Sequence, residues 1–302
     1  MGGDGQPVLS LGPVLFHWGA EAWRDFYFRI ADEADVGCVF LGEVVCEKRI
    51  GAYAKLFDDV RERLSGAGKE VVLSTLALIM GEKDLESVRT MAAENDLLVE
   101  ANDVAACALL AGRPHAVGPY VNIYNEGTLA AFAERGATRA CLPPELPADS
   151  LRTLAAASPV DLEVQVFGRF PLALSARCYA ARVRGLAKEN CGQVCIEDGD
   201  GLAVETLDGD LFLAANGTQT LSGACGNLIA ELPSLREMGI SRFRLSPQSV
   251  DMVGIARVFR DVLDERLDTR EADARIAELA PDMPFANGFF HGAEGAAFLE
   301  SF

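Results

Sequence analysis

Long apolar runs are missing from this sequence. Nowhere does it reach the roughly 18 or more consecutive apolar residues that a membrane helix requires. Its first residues, MGGDGQPVLSLGP, have neither the basic start nor the apolar core of a signal peptide. We therefore expect a cytoplasmic protein. In that reducing compartment, cysteines are expected to serve as metal ligands or as small buried residues and not as a disulfide framework.

Histidine is scarce, and two familiar hydrolase motifs are missing. The chain has only His17, His115 and His291, with no H-E-x-x-H and no G-x-S-x-G sequence. A zinc protease or a serine triad needs one of these arrangements. The sequence therefore predicts no peptidase activity, and each histidine is expected to have a structural role.

Basic residues are too few for a nucleic-acid-binding surface. The chain has 27 Lys and Arg against 45 Asp and Glu, a formal net charge of −18. The basic residues are spread along the chain and form no long stripe, so a phosphate backbone would be repelled. We expect no nucleic-acid partner.

Apolar segments that alternate with amphipathic helices dominate the sequence. With 302 residues, of which 50% are hydrophobic, the chain can bury a large core. Strands that are nearly all apolar and alternate with helices are typical of a parallel sheet covered by helices. We predict eight strands, at residues 8–16, 36–41, 70–77, 97–99, within 115–123, 138–142, 161–167 and 242–245. Eight such units favour an α/β fold of the (β/α)8 TIM-like barrel type.

The alternation is interrupted between the seventh and eighth strands. Residues 170–223 form a cysteine-bearing insertion, in which segments 202–206 and 211–215 flank Asp208 and Gly209 like the strands of a β-hairpin. We predict one barrel domain over residues 1–265, insertion included. Residues 266–302 are predicted to be a C-terminal tail with one helix, packed loosely or against a partner.

Three of the eight cysteines lie close together within the insertion. Twelve residues separate Cys178 from Cys191, and three separate Cys191 from Cys195. Three thiolates form an incomplete metal site. Cys46 is nominated as the fourth ligand, because it follows the second strand and the loops after barrel strands meet at one face.

The other cysteines are explained by packing. Cys38, Cys107, Cys141 and Cys225 lie in or next to predicted core elements. The remaining four thiolates could hold zinc or an iron–sulfur cluster. Their uneven spacing departs from the C-x2-C pairs common in structural zinc sites, which favours the cluster.

Short segments between residues 11 and 248 carry a family resemblance. They are LGPVLFHW, FLGEVVCEKR, VVLSTLAL, VEANDVA, LPPEL, PLALSARCYAAR, ENCGQVC, LAANGTQTLSG and RLSPQ. They resemble peptidase family U32, most closely its members in ubiquinone biosynthesis. The four cysteines of that group's 4Fe-4S site fall on Cys46, Cys178, Cys191 and Cys195. Beyond residue 266 only NGFF matches.

The resemblance implies a function as well as a cofactor. It implies a barrel that binds a 4Fe-4S cluster and forms a heterodimer with a sister barrel, ubiquinone biosynthesis protein U (UbiU). Such a pair supports oxygen-independent hydroxylation of the ubiquinone precursor, with prephenate as the oxygen donor, and a lipid-binding accessory protein (UbiT) presents the hydrophobic quinone precursor. Two alternatives stay open: a non-catalytic partner barrel whose metal staples the insertion, and an RNA hydroxylase of the same family.

Polar residues at the predicted strand ends are further candidates, because such residues face the mouth of a barrel. They are Glu43, Glu100, Asn102, Asn122, Tyr124, Glu145 and Glu163. Arg49 and Arg177 lie near the proposed ligands in sequence and could offset the negative charge of a cluster, or pair with a carboxylated donor. Ordinary strand-end contacts and surface ion pairs are the competing interpretations.

Overall fold

Eight parallel strands close into a barrel in this computed structural model, which describes residues 6–300. The barrel strands are β1 (Val8–Leu11), β2 (Cys38–Leu41), β3 (Glu70–Ser74), β4 (Leu98–Ala101), β5 (His115–Val117), β6 (Ala137–Cys141), β7 (Asp161–Leu174) and β11 (Arg242–Leu245). Neighbouring strands pair in parallel, and β11 pairs with both β1 and β7, which closes the ring. The predicted (β/α)8 barrel is confirmed.

Helices connect the strands and cover the outside of the barrel. They are α1 (Ala20–Glu33), α2 (Ile50–Tyr53), α3 (Phe57–Gly66), α4 (Glu82–Ala92), α5 (Val104–Leu109), α6 (Glu126–Glu134), α7 (Ala148–Ala157), α8 (Tyr179–Val183), α9 (Leu232–Glu237), α10 (Met252–Leu263) and α11 (Thr269–Leu279). None of the helices within residues 6–300 combines the length and the apolar character needed to cross a bilayer.

The period-2 alternation of each strand divides its side chains between two environments. In β1, Leu9 and Leu11 pack in the main apolar core with the helices, while Ser10 between them donates a hydrogen bond to Glu163 of β7. The larger apolar layer therefore lies between the barrel and its helices. Full burial of a leucine-sized side chain contributes about 1.5–3 kcal/mol, so this layer dominates the stability of the fold.

The insertion is a larger sheet than the predicted hairpin. The hairpin itself is confirmed, as β8 (Leu202–Glu205) and β9 (Leu211–Asn216). A further strand, β10 (Gln219–Asn227), pairs antiparallel with β9 and with β7, whose 14 residues continue beyond the barrel. We did not predict β10, because its sequence, QTLSGACGN, lacks a clear apolar alternation.

The prediction for the C-terminal segment needs correction. The segment after residue 266 does contain the predicted helix, α11, but its described part is not loosely packed. Ile276 is fully buried there, and β12 (Phe285–Ala286) pairs with β10.

Gly42 follows β2 and lies where the backbones of the second and third barrel units pack closely together. Its φ is +149°, and a Cβ at this position would lie 2.3 Å from the carbonyl oxygen of Ser74. Gly42→Ala is therefore expected to lower the free energy of unfolding by about 1–3 kcal/mol.

Urea denaturation checks this, with Gly66→Ala at the end of α3 as the control. Apart from its chain neighbours and its own helix backbone, no atom of residues 6–300 lies within 4 Å of a Cβ placed at Gly66, so this change should alter stability by less than about 1 kcal/mol. Equal midpoints for the two variants would contradict the packing argument.

Candidate metal centre

Cys46, Cys178, Cys191 and Cys195 line a single small cavity, which we call the thiol cavity. Its full lining is Cys46, Lys48, Arg49, Cys178, Lys188, Cys191, Gln193, Cys195, Gly217 and Thr218. All four thiols are half-buried. Among residues 6–300, no three His, Cys, Asp or Glu side chains are arranged to hold a metal ion as they stand.

Each cysteine is placed by a short, irregular piece of backbone. Cys46 precedes a 3-10 turn (Glu47–Arg49) after β2, and Cys178 is the N-cap residue of α8. Cys191 ends one 3-10 turn (Lys188–Asn190), and Cys195 lies within the next (Val194–Glu197). Between them, Gly192 and Gln193 both have positive φ, which turns the chain sharply enough to bring both thiols to one cavity.

Hydrogen bonds fasten the insertion to the loop that carries Cys46. The Lys48 ammonium donates to the carbonyl oxygens of Lys188 and Glu189, at 2.5 and 2.9 Å. Gln193 Nε2 donates to the Lys48 carbonyl at 3.1 Å, and the Thr218 hydroxyl donates to the Val45 carbonyl at 3.0 Å. These bonds explain how residues about 140 positions apart in sequence come to share a cavity.

Arg49 brings a buried positive charge to the thiol cavity. It is 1% exposed, and its Nη1 and Nη2 atoms donate to the Leu15 carbonyl and to Asn216 Oδ1, at 2.8 and 2.9 Å. Its Nε is buried and has no hydrogen-bond partner within residues 6–300. Burial raises the pKa of the Cys195 thiol, and Arg49 acts in the opposite direction by favouring the thiolate.

Glu43 holds the Cys46 loop from the other side. Its Oε1 accepts hydrogen bonds from the backbone N–H groups of Val45 and Cys46, at 2.8 and 2.9 Å. Its Oε2 accepts the Tyr53 hydroxyl at 2.7 Å, and Arg49 lies 3.9 Å from Oε1. Burial and the Glu43 charge raise the pKa of Tyr53, so this phenol stays protonated. Arg177, by contrast, is exposed and is not part of the cavity lining.

Glu100, Asn102 and Glu163 meet inside the barrel around a residue that we did not predict, Arg244. The guanidinium donates to Glu100 Oε1 at 2.7 Å and through Nε to Glu163 Oε2 at 3.0 Å, and it lies 3.8 Å from the centre of the Phe40 ring. All three charged side chains are at most 5% exposed. Burial acts to lower the pKa of Arg244, but the neighbouring Cys141, Glu100 and Glu163 together raise it well above its usual value.

The position of Glu163 corrects the prediction that it ends a strand at the barrel mouth. Glu163 is the third residue of β7 and faces Arg244 and Ser10 in the interior. The signal that could have identified Arg244 is a charge placed between Phe243 and Leu245, the two apolar residues of the strand RFRL, both of which are buried. Such a charge needs a buried partner of opposite sign.

The remaining predicted mouth residues lie apart from the thiols. Asn122, Tyr124 and Glu145 line a shallow groove with the β7 segment 171–174, and the Tyr124 hydroxyl donates to Glu145. Burial and Glu145 raise the pKa of Tyr124 to about 12. The residues predicted at strand ends therefore lie in three different environments: beside the Cys46 loop, in the barrel interior and in this groove.

The histidines differ in their surroundings. His17 Nε2 lies 2.9 Å from Gln193 Oε1, next to the thiol cavity, and His291 Nε2 lies 2.9 Å from Glu231 Oε1. His115 is fully buried in β5, with Nδ1 2.8 Å from the Arg113 carbonyl oxygen. Burial lowers the pKa of His17 and of His115, so the folded protein favours their neutral forms.

His115 is expected to make stability depend on pH. Because its pKa is lower in the folded chain than the unfolded value near 6.5, the unfolded state binds more protons below that pH. Its stabilising contribution is complete above about pH 6.5 and is lost as the pH falls, at no more than about 1.4 kcal/mol per pH unit. The contribution of His115 is measured by comparing the unfolding free energies of wild type and His115→Leu at several pH values between 5 and 8. A parallel pH dependence for the two proteins would contradict it.

Comparison with known proteins finds one family and several solved structures. Residues 21–298 match Peptidase family U32. The tryptophan synthase complex from Pyrococcus furiosus is 13% identical, with 91% of this chain and 99% of that chain covered and a TM-score of 0.43. Dihydropteroate synthase from Thermus thermophilus is 16% identical, with 86% and 93% covered and a TM-score of 0.43.

Proposed function

Because this chain belongs to peptidase family U32, we propose that it acts as that family's ubiquinone biosynthesis protein V (UbiV) does. In this proposal it is the iron–sulfur subunit of an oxygen-independent hydroxylase in the cytoplasm. Its partners are UbiU, with which it forms a heterodimer, and UbiT, which presents the hydrophobic quinone precursor. Prephenate is the proposed oxygen donor, and no peptidase activity is expected.

One observation carries the proposal: four cysteines from two distant parts of the chain line one cavity. Four thiolates are the donor set of a 4Fe-4S cluster, and the proposed ligands are Cys46, Cys178, Cys191 and Cys195. When bound, such a cluster supplies one-electron redox chemistry at a potential that charge, hydrogen bonds and solvent exposure set. The donor set therefore fits the proposed cofactor.

The charges around the thiols suit the same cofactor. A cluster with four thiolate ligands has a net negative charge, and Lys48, Arg49 and Lys188 all line the cavity. Arg49 is the most effective of them, because it is fully enclosed and its charge is screened least by solvent. Its unpartnered Nε leaves one donor free for a cluster ligand.

Metal and quinone analyses test the proposal. Protein purified without oxygen should be brown and contain about four irons per chain. A deletion strain grown without oxygen should lose ubiquinone and accumulate its precursor. A colourless protein with stoichiometric zinc, or unchanged ubiquinone in the deletion strain, would remove this assignment.

A second candidate is a partner barrel whose metal has only a structural role. It is favoured by the origin of the ligands, since Cys46 belongs to a barrel loop and the other three to the insertion. Cys195→Ala in the reconstituted heterodimer separates the two functions. A structural staple predicts loss of soluble protein, whereas folded but inactive protein supports a role of the cluster in the reaction.

A further inference from the structure

A second cavity, which we call the aromatic cavity, lies next to the thiol cavity. It is formed between the carboxyl ends of β2 and β3 and the helices α1 to α4, and its volume is about 250 Å³. An engineered apolar cavity of about 150 Å³ is large enough to bind benzene, so this one can hold a substituted ring. Its apolar walls are Trp23, Ile50, Tyr53, Phe57, Leu76 and Met91.

The aromatic side chains that line this cavity stack on one another. The rings of Trp23 and Tyr53 are stacked, with centroids 4.9 Å apart and planes inclined by 19°. Phe57 lies 6.3 Å from Trp23 at 20°. A planar ligand that extends this stack gains about 0.5–1.5 kcal/mol per aromatic pair beyond burial, which favours flat rings.

A single carboxylate links this apolar space to the thiols. Glu43 lines the aromatic cavity, and its Oε1 accepts the backbone N–H of Cys46. Residues of one short segment, 42–50, alternate between the two cavities: Glu43 and Ile50 line the aromatic cavity, whereas Cys46 and Arg49 line the thiol cavity. A ring bound in the aromatic cavity would therefore lie beside the loop that carries Cys46.

We propose that the aromatic cavity binds the phenolic ring of the hydroxylase substrate, with the ring hydroxyl donating to the Glu43 carboxylate. The carboxylate can accept another donor, because each of its oxygens has two lone pairs and Oε2 accepts only the Tyr53 hydroxyl. The walls select a planar, apolar ring, and Glu43 selects a hydroxylated one. The identity of this ligand rests on the proposed function, while the preference for phenols rests on the cavity alone.

Two variants of α4 form a matched pair for the test. Ser87 lines the cavity, and Thr90 on the same helix does not. Their hydroxyls make equivalent hydrogen bonds, to the Lys83 and Glu86 carbonyls four residues earlier. Ser87→Phe should fill the cavity, and Thr90→Phe adds the same ring on an exposed surface.

Calorimetric titration of the full chain, purified without oxygen, uses 2-methoxyphenol as the probe and cyclohexanol as a non-planar comparison. Wild type and Thr90→Phe should bind the phenol equally and more tightly than cyclohexanol, and Ser87→Phe should bind it at least tenfold more weakly. Equal binding by all three proteins, or no binding by wild type, would overturn the proposal.

Glu43→Gln gives a second test that does not depend on the folding of Ser87→Phe. It should weaken binding of 2-methoxyphenol several-fold and leave binding of methoxybenzene, which has no hydroxyl, unchanged. Equal loss of both probes would exclude Glu43 as the hydroxyl acceptor. Iron content and quinone analysis are measured separately from phenol binding. If the protein binds iron but no phenol, the cavity proposal fails and the proposed function stands. If it binds phenol but no iron, the proposed hydroxylase function fails and the cavity proposal stands.

Discussion

Replacing Cys46 with alanine is expected to reduce the iron content of anaerobically purified protein from about four atoms per chain to less than about one. Cys46 is the only proposed ligand outside the insertion, and the barrel supplies no other cysteine to the thiol cavity. Without Cys46, three of the proposed thiolate ligands would remain, and they would hold a cluster too weakly for it to survive purification. Iron and acid-labile sulfide assays on freshly purified protein measure the effect.

Cys107→Ala is the matched control for this experiment. Cys107 is a buried cysteine of α5 that does not line the thiol cavity, so its removal should leave iron binding unchanged at some cost in stability. If Cys46→Ala keeps its full iron content, a different set of ligands holds the metal. If both variants lose iron, the effect reports general instability and the ligand assignment loses its support.

Replacing Arg244 with methionine is expected to lower the free energy of unfolding by about 3–5 kcal/mol, a large part of the stability of a typical domain. The change leaves Glu100 and Glu163 buried without their common counter-charge, although Ser10, Ser74 and Asn102 still donate hydrogen bonds to them. It also removes the cation from the Phe40 ring. Urea denaturation followed by circular dichroism measures the loss.

Two further variants identify the cause of that loss. Glu163→Gln in the Arg244→Met background removes one unpaired charge and should recover part of the stability, because the coupled residues are not additive. Arg275→Ala removes an exposed helical ion pair with Glu271 and should cost no more than about 0.5 kcal/mol. A cost for Arg244→Met as small as that of Arg275→Ala would show that the interior network contributes little to stability.

The barrel was predictable because its signals are local. Each apolar strand and each amphipathic helix can be recognised within a window of about 5 to 15 residues, and β11 agrees with its predicted bounds. The hairpin of the insertion was predictable for the same reason, since Asp208 and Gly209 mark its turn. β10 was not, because its pairing with β7 depends on residues about 50 positions away.

The sequence by itself determined the eight-unit barrel, the insertion and the spacing of three cysteines, all of which depend on residues close together in the chain. The predicted barrel also nominated Cys46 as a partner of those three, and the structure places all four on one cavity. Only the tertiary structure decided that Arg49 is enclosed beside them and that Arg244 joins Glu100 and Glu163. The contacts of Arg244 join residues from about 80 to 145 positions apart. Local propensity carries no information about such pairs, because hydrogen bonds and burial between segments distant in the chain select them.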